Sequence, residues 1–364
     1  MPAKLERLDI GMSRSTEIPW WRPDRFARRR PHLAARQAIA RAVRDYFAAE
    51  GFAEVETPAL QVSPGLEVHL KAFETALEDP AGGTRPMFLH TSPEFAMKKL
   101  LVAGEKRIFQ IARAFRNGER SATHHPEFAM LEWYRGGEGV EALWRDCEGL
   151  LRAALAAVPG RRALSFEGRE ADPARPFERL TVAEAFERHA GIDLLATAPD
   201  PAEPDAARLR REAEHVGIAC RPSDGWEDIF FRIFLARIEP ALGSGAPTIL
   251  RDYPASMAAL ARLKPGEPRV AERFELYVCG LELANGFAEL TDAAEQRRRF
   301  ERDMARKQAL YGTRYPIDED FIAALSHGMP EAAGIALGFD RLVMLASGAS
   351  AIDDVLWAPV TPPP

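Results

Sequence analysis

The spacing of apolar residues along the chain predicts alternating helices and short strands. From His32 to Glu50 apolar side chains recur every three or four positions, which predicts an amphipathic helix that ends at Gly51. Residues 52–58 alternate as in a strand, and Pro58 ends the run. The same patterns predict strands at 87–90, 107–115, 127–135, 248–250 and 273–290, and helices at 92–101, 138–155, 181–189, 204–217, 226–238 and 293–311.

These elements predict an α+β domain with a mostly antiparallel sheet flanked by helices, because hairpin-like strand pairs outnumber strand–helix–strand units. We expect residues 1–30 to form an extended leader, 31–358 the domain, and 359–364 a tail whose last three residues, 362–364, are disordered. Residues 159–245 carry helices but no chemical signature, and we expect an insertion packed beside the sheet. Its first part, 159–176, is rich in proline and arginine and is expected to be a loop.

Composition and charge exclude several function classes. The 364 residues carry a formal net charge of -6, which gives no support for a surface that coats nucleic acid. Three cysteines without a CxxC pair argue against a zinc knuckle or a disulfide framework. No apolar run approaches the ~20 residues that span a bilayer, and no secretory signal is evident. We therefore expect a cytoplasmic protein.

One stretch concentrates side chains that suit a nucleotide. It comprises 115–119, 124–128 and 132–134, and it contains Arg116, two histidines and several aromatic residues. An arginine fork can hold a phosphate through two hydrogen bonds, and a flat aromatic ring can stack on a base. The alternative is a solvated hairpin rich in arginine and glutamate.

A second candidate is the pair of glutamates Glu282 and Glu289. Their separation of seven would place them on opposite faces of a regular strand, but a one-residue bulge at Asn285–Gly286 would bring them to the same face. Two such carboxylates can hold Mg²⁺ against substrate phosphates. The alternative is two surface glutamates that flank a turn.

Two further segments place charged residues beside helix starts. At Gly338 a strand gives way to a helix, and Arg341 in its first turn can reach a phosphate. Glu94 follows Ser92 and Pro93 at another helix start, where it can anchor a ligand ammonium group. The alternatives are a tight core turn and a carboxylate that only stabilises the helix dipole.

The histidines do not form a recognisable metal motif. No HExxH or comparable pattern is present, so protein-bound zinc is not expected. None of the candidate ligands His69, His90, His124 and His125 belongs to such a motif.

Together these segments resemble the catalytic core of class II aminoacyl-tRNA synthetases, and within that family the lysyl branch. Residues 51–60 are similar to motif 1, 115–134 to motif 2 and 338–341 to motif 3, and the similarity extends from about residue 31 to 358. Only about thirty polar residues precede it, so no N-terminal OB-fold is expected. The chain therefore resembles the truncated paralogues of that branch, which attach a lysine-type amino acid to a lysine of elongation factor P.

The resemblance implies a role for each matching position. As catalytic residues, Arg116 would hold the α-phosphate of ATP and Arg341 the terminal phosphates. Phe128 would stack on adenine, and Glu282 and Glu289 would hold Mg²⁺. The remaining ATP-binding positions would be Asn117, Gly118, His125, Leu283 and Gly338. The amino-acid pocket would consist of Ser92, Glu94, Tyr134 and Glu289.

Two positions depart from the family pattern. Gly118 stands where the family has a glutamate near adenine, and Glu119 can replace that glutamate if the loop shifts. His125 stands where the family has asparagine, and it retains the ability to donate a hydrogen bond to ATP. Ser92 matches the paralogues, in which this serine accompanies a preference for (R)-β-lysine.

The resemblance implies a ligase that forms an aminoacyl-adenylate from ATP and then transfers the amino acid to elongation factor P. The implied cofactors are ATP, as a substrate, and Mg²⁺; the implied assembly is a homodimer. Alternatives are a minimal lysyl-tRNA synthetase that charges tRNA and an inactive paralogue that binds ATP or an amino acid. The acidic composition and the lack of an anticodon module weigh against tRNA.

Overall fold

The computed structural model describes residues 19–361, and residues 1–18 and 362–364 lie outside the described part. Its helices are α1 (Pro23–Ala49), α2 (Glu94–Val102), α3 (Val140–Ala156), α4 (Val182–Ala190), α5 (Ala206–His215), α6 (Trp226–Ile233), α7 (Ala293–Tyr311), α8 (Glu319–Gly328) and α9 (Phe339–Ser347). Its strands are β1 (Ala53–Glu54), β2 (Leu60–Gln61), β3 (Phe73–Glu78), β4 (Thr84–Leu89), β5 (Arg107–Phe115), β6 (Glu127–Gly136), β7 (Leu164–Phe166), β8 (Arg169–Ala171), β9 (Glu178–Thr181), β10 (Thr248–Pro254), β11 (Val270–Val278), β12 (Leu281–Ala288) and β13 (Ala332–Gly338).

An eight-stranded sheet in the order β1-β5-β6-β13-β12-β11-β10-β9 organises the domain. All pairs from β5 to β10 are antiparallel, whereas β1 and β9 join the two edges in parallel. A smaller sheet of β2, β4 and β3 lies apart from it. The predicted class, a mostly antiparallel α+β domain, is confirmed.

Alternation along β6 separates the hydrophobic core from the other face of the sheet. Leu131 and Trp133 point into the cluster formed with α1, α3 and α9, where Trp133 packs against Phe47. Tyr134 points to the opposite face, into a second cluster that includes residues of α2, α7 and α8. Side chains of a strand alternate between faces, so Glu132 shares the face of Tyr134.

The N-terminal boundary differs from the prediction. Helix α1 begins at Pro23 and contains Pro31, so residues 23–30 are helical rather than extended. Pro23 is tolerated at the first position of the helix because the amide hydrogen that proline lacks would have no partner there. The rest of the predicted leader, apart from Pro19 to Arg22, lies outside the described residues, as do residues 362–364, which were predicted to be disordered.

The middle segment is more closely tied to the sheet than predicted. Residues 164–171 form the β7–β8 hairpin where a loop was expected, and β9 extends the main sheet beside β10. Helices α4, α5 and α6 pack with residues of β9, β10 and β11 into a separate cluster, which contains Phe186, Trp226 and Phe230. Within residues 19–361, no helix is long and apolar enough to cross a membrane.

The predicted long strand at 273–290 is a hairpin of β11 and β12. Cys279 and Gly280 turn the chain with φ angles of 57° and 75°, as a two-residue hairpin turn requires. The bulge lies at Leu283, because Leu276 pairs with Ala284 while Tyr277 pairs with Glu282. Asn285 and Gly286 pair regularly, so the predicted bulge exists but was placed two residues too late.

Candidate active site

A cavity of about 360 Å³ opens against the sheet, lined by residues of β6, β12, β13, α2 and α7 and of the adjoining loops. It brings together most of the predicted site residues: Ser92, Glu94, Arg116, His125, Phe128, Tyr134, Glu282, Leu283, Glu289, Gly338 and Arg341. Asn117 and Gly118 do not line it, whereas Glu119 does. Gly118 lies exposed at the loop tip with a φ of 86°.

One end of the cavity carries a network of carboxylates. Glu132, which the sequence did not single out, accepts hydrogen bonds from the hydroxyls of Ser92 (2.9 Å) and Tyr134 (2.6 Å). The sequence signal for this contact was the spacing of two between Glu132 and Tyr134, which places both side chains on the same face of β6. The predicted pocket residues Ser92 and Tyr134 are thus held by a carboxylate between them.

Lys98 joins the other two carboxylates of this end. Its Nζ lies 2.5 Å from Glu94 Oε1 and 2.5 Å from Glu289 Oε2, and its side chain is only 2% exposed. The Glu94–Lys98 spacing of four on α2 was visible in the sequence. The contact with Glu289 was not, since it joins residues far apart in the chain. We refer to Glu94, Lys98, Glu132 and Glu289 as the carboxylate cluster.

Burial and mutual repulsion favour protonation in this cluster. Burial, with the charge of Glu94 next, raises the pKa of Glu132 to about 8. Burial also raises the pKa of Glu289 to about 8, against the opposing effect of Lys98. One lysine faces three carboxylates, and Glu289 Oε1 has no hydrogen-bond partner among the described residues. The cluster is therefore suited to bind additional positive charge.

The other end of the cavity carries arginines. The guanidinium of Arg116 lies over the ring of Phe128, 5.1 Å from its centroid. The buried Nε of Arg116 has no hydrogen-bond partner among the described residues. A stacked guanidinium with a free donor is suited to meet an anion.

Arg341 is held in place by the loop before β6 and by β12. It donates to the backbone oxygens of Glu282 (2.7 Å) and Thr123 (3.2 Å) and contacts Nε2 of His124 (2.7 Å). Arginine only donates, so this nitrogen accepts and the proton of His124 lies on Nδ1, which faces Ser121 Oγ at 2.8 Å. Burial, with Arg341 next, lowers the pKa of His124 and favours this neutral form.

A buried ion pair supports the turn that carries Arg341. Asp340, the preceding residue, accepts from the guanidinium of Arg36 on α1 and, at 2.7 Å, from the amide of Ala129 on β6. Asp340 is 1% exposed. The first helix is thereby linked to the strand–helix turn at Gly338 and to Arg341.

His125 does not have the free donor expected of it. Val360 donates its amide to Nε2 (3.1 Å), so the ring proton lies on Nδ1, which donates to the backbone oxygen of Glu127 (2.6 Å). His125 is 2% exposed. It lines the cavity as a structural residue, and the hydrogen bond to ATP predicted from it has no ring N–H available.

The two glutamates predicted to share a metal lie in different surroundings. Glu289 belongs to the carboxylate cluster, whereas Glu282 lies at the arginine end, near Arg341, and is also affected by the charge of Glu275 on β11. Burial, with Glu275 next, raises the pKa of Glu282 to about 7. Glu275 itself accepts hydrogen bonds from Tyr253, Tyr277 and Arg273.

Mg²⁺ uses one or two carboxylates and retains waters. Glu289 is paired with Lys98, whereas Glu282 lines the cavity near Arg341, so of the predicted pair Glu282 fits that ion better. Among residues 19–361, no cluster of three or more histidine, cysteine, aspartate or glutamate side chains forms a complete metal site.

Comparison with known proteins gives one consistent result. The family model for class II tRNA synthetases (D, K and N) matches residues 22–362. The elongation factor P–(R)-β-lysine ligase of Pectobacterium carotovorum is 40% identical over 345 residues, which cover 94% of this chain and 98% of that protein. Its counterpart in Sodalis glossinidius is 41% identical over 326 residues, covering 89% and 94%. That of Salmonella paratyphi B is 39% identical over 346 residues, covering 94% and 98%.

Proposed function

Since the chain belongs to the class II tRNA synthetase family of the D, K and N type and is a ligase related to those enzymes, we propose that it activates a lysine-type amino acid with ATP. We propose (R)-β-lysine as that amino acid and a lysine side chain of elongation factor P as its acceptor. The names of the relatives support both choices.

The observation that carries the proposal is the division of one cavity into two oppositely charged ends. The carboxylate cluster suits the ammonium groups of a diamine, and Arg116 and Arg341 suit the phosphates of ATP. A lysine-type amino acid that spans the cavity would direct its carboxylate toward the arginines. There it would attack the α-phosphorus, and pyrophosphate would leave.

Activation requires no protein nucleophile. The chain contributes orientation of the two reactants and positive charge at the phosphates. Phe128 offers the aromatic face for adenine. In the second step an amine of the acceptor attacks the mixed anhydride, and AMP leaves.

Of the predicted pair Glu282 and Glu289, Glu282 is the residue that we propose to hold Mg²⁺, since Glu289 is paired with Lys98 and one carboxylate is sufficient for this ion. The ion, when bound, would offset negative charge on the phosphates. Glu282, near Arg341, would hold the ion that supplies this chemistry at the phosphate-binding end. A homodimer, a cytoplasmic location and the exclusion of tRNA as acceptor are further parts of this proposal.

The test is ATP–pyrophosphate exchange with α-lysine and (R)-β-lysine, and with norleucine as a control that lacks the second ammonium group. We expect exchange with (R)-β-lysine, weaker exchange with α-lysine and none with norleucine. Absence of exchange with every amino acid would contradict an activating function. Equal exchange with norleucine would contradict the role of the carboxylate cluster.

A further inference from the structure

One carboxylate in the cavity has no part in the steps described so far. Glu67 lies in the loop between β2 and β3 and lines the cavity together with Glu94 and Arg116. Its Oε2 is shielded from solvent and has no hydrogen-bond partner among the described residues. An unpaired buried carboxylate oxygen is unfavourable, so its retention calls for a role with a ligand present.

The loop that carries Glu67 is held firmly. Lys307 of α7 donates to the backbone oxygens of Glu67 (3.2 Å), Val68 (2.9 Å) and Leu70 (2.5 Å). Gly65, at a φ of 117°, makes room for the carboxylate: a Cβ there would lie 2.7 Å from Glu67 Oε2. The position of the carboxylate is therefore set by the fold rather than by chance side-chain motion.

Charged groups from three elements face Glu67. Burial, with Glu94 of α2 next, raises its pKa, while its own backbone amide, Arg116 at the end of β5 and Lys307 of α7 act in the opposite direction. Glu67 thus shares the cavity with Glu94, on the amino-acid side, and with Arg116, on the α-phosphate side. The bond between amino acid and phosphate would form in the same cavity.

On the basis of the proposed function, we infer that Glu67 is the general base of the transfer step. The acceptor lysine arrives as an ammonium group, which cannot attack until it loses a proton. Glu67 accepts that proton, and the free amine attacks the carbonyl carbon of the mixed anhydride. The C–N bond forms and the C–O bond to AMP breaks, with its electron pair leaving on AMP. The second proton on nitrogen passes to solvent.

A general base is needed in transfer but not in activation, so the two half-reactions separate this role from others. In Glu67→Gln we expect ATP–pyrophosphate exchange to stay within about threefold of the original rate. Single-turnover transfer from preformed adenylate to elongation factor P should fall roughly 100-fold or more. The deficit should shrink as pH rises, because more acceptor amine is then already deprotonated.

Two further variants serve as controls for this role of Glu67. Glu74→Gln changes an exposed carboxylate on β3, outside the cavity, and should leave both half-reactions within about twofold. Glu67→Asp retains the acid and should recover part of the transfer rate, with thermal unfolding showing that both Glu67 variants fold.

Several results would overturn the inference. They are equal loss of exchange and transfer in Glu67→Gln, a raised amino-acid KM in exchange, an unchanged transfer rate, or a deficit that does not depend on pH. An original enzyme that exchanges but transfers to no amine would also overturn it, while leaving activation intact. An original enzyme without any exchange would contradict the proposed function itself.

Discussion

The two ends of the cavity differ in how their charges are satisfied. In the carboxylate cluster, Glu94 and Glu289 share Lys98, and Glu132 has two hydroxyl partners. At the arginine end, Arg341 is bonded largely to backbone oxygens, and Arg116 keeps an unpaired Nε. Carboxylates dominate one end and donors the other.

The difference shows how one cavity can select two unlike groups. The carboxylate cluster has three carboxyl groups for one lysine, so an incoming ammonium group finds acceptors there. At the arginine end the unpaired Nε of Arg116 is a donor that a phosphate can satisfy. Each prediction below alters one end and asks whether the other responds.

The largest effect is expected from Arg116→Ala. It removes the donor that faces the α-phosphate, and exchange should fall by about 10³-fold. Arg113→Ala, at an exposed arginine of β5 three residues earlier in the chain, is the matched control and should retain exchange. Full activity of Arg116→Ala would exclude Arg116 from the site.

The corresponding change at the other end is Glu289→Gln. Glutamine cannot ionise to pair with the incoming ammonium group, so KM for the amino acid should rise about 100-fold, while KM for ATP stays within about threefold. Glu331→Gln, at an exposed residue just before β13, should change neither constant. A parallel rise of both KM values would show that the two ends do not act separately.

Sequence patterns located both ends but not the contacts within them. The Glu94–Lys98 spacing on α2 and the alternation of Glu132 and Tyr134 on β6 are local, so they can be inferred from the chain. The contact of Lys98 with Glu289 depends on how α2 meets β12. The spacing of residues within either segment does not predict how the two segments pack against each other.

The fold, too, has local features that the sequence predicted and features that depend on contacts between distant segments. The antiparallel sheet followed from hairpin patterns, whereas the bulge at Leu283 is set by cross-strand pairing between β11 and β12. The sequence could not show the outcome at the two positions that depart from the family pattern. Glu119 lines the cavity and Gly118 does not, and both ring nitrogens of His125 are hydrogen-bonded to backbone groups. Loop conformation determines both.

A pH dependence of intermediate size should distinguish the ends. Burial raises the pKa of Glu132 and Glu289 to about 8, so below that pH these groups hold protons that an incoming ammonium group must displace. KM for the amino acid should fall roughly tenfold from pH 6.5 to 8 and then level off. KM for ATP measured over the same range is the control. A flat amino-acid KM would contradict the ionisation of the cluster on binding.

The smallest effect concerns the loop in which Gly118 departs from the family. If Glu119 meets the adenine end, Glu119→Gln should raise KM for ATP by about fivefold and leave the amino-acid KM unchanged. Glu105→Gln, at an exposed position before β5, is the control. An unchanged KM for ATP would exclude Glu119 from nucleotide binding.

The central claim is that the two ends cooperate to transfer a lysine-type amino acid to a protein. It is tested most directly by offering labelled (R)-β-lysine, ATP, elongation factor P and tRNA in one reaction and following both acceptors. We predict label on a single lysine of elongation factor P, seen as a mass increase of one lysine residue, and none on tRNA. Label on tRNA alone would contradict the account and identify a tRNA-charging enzyme.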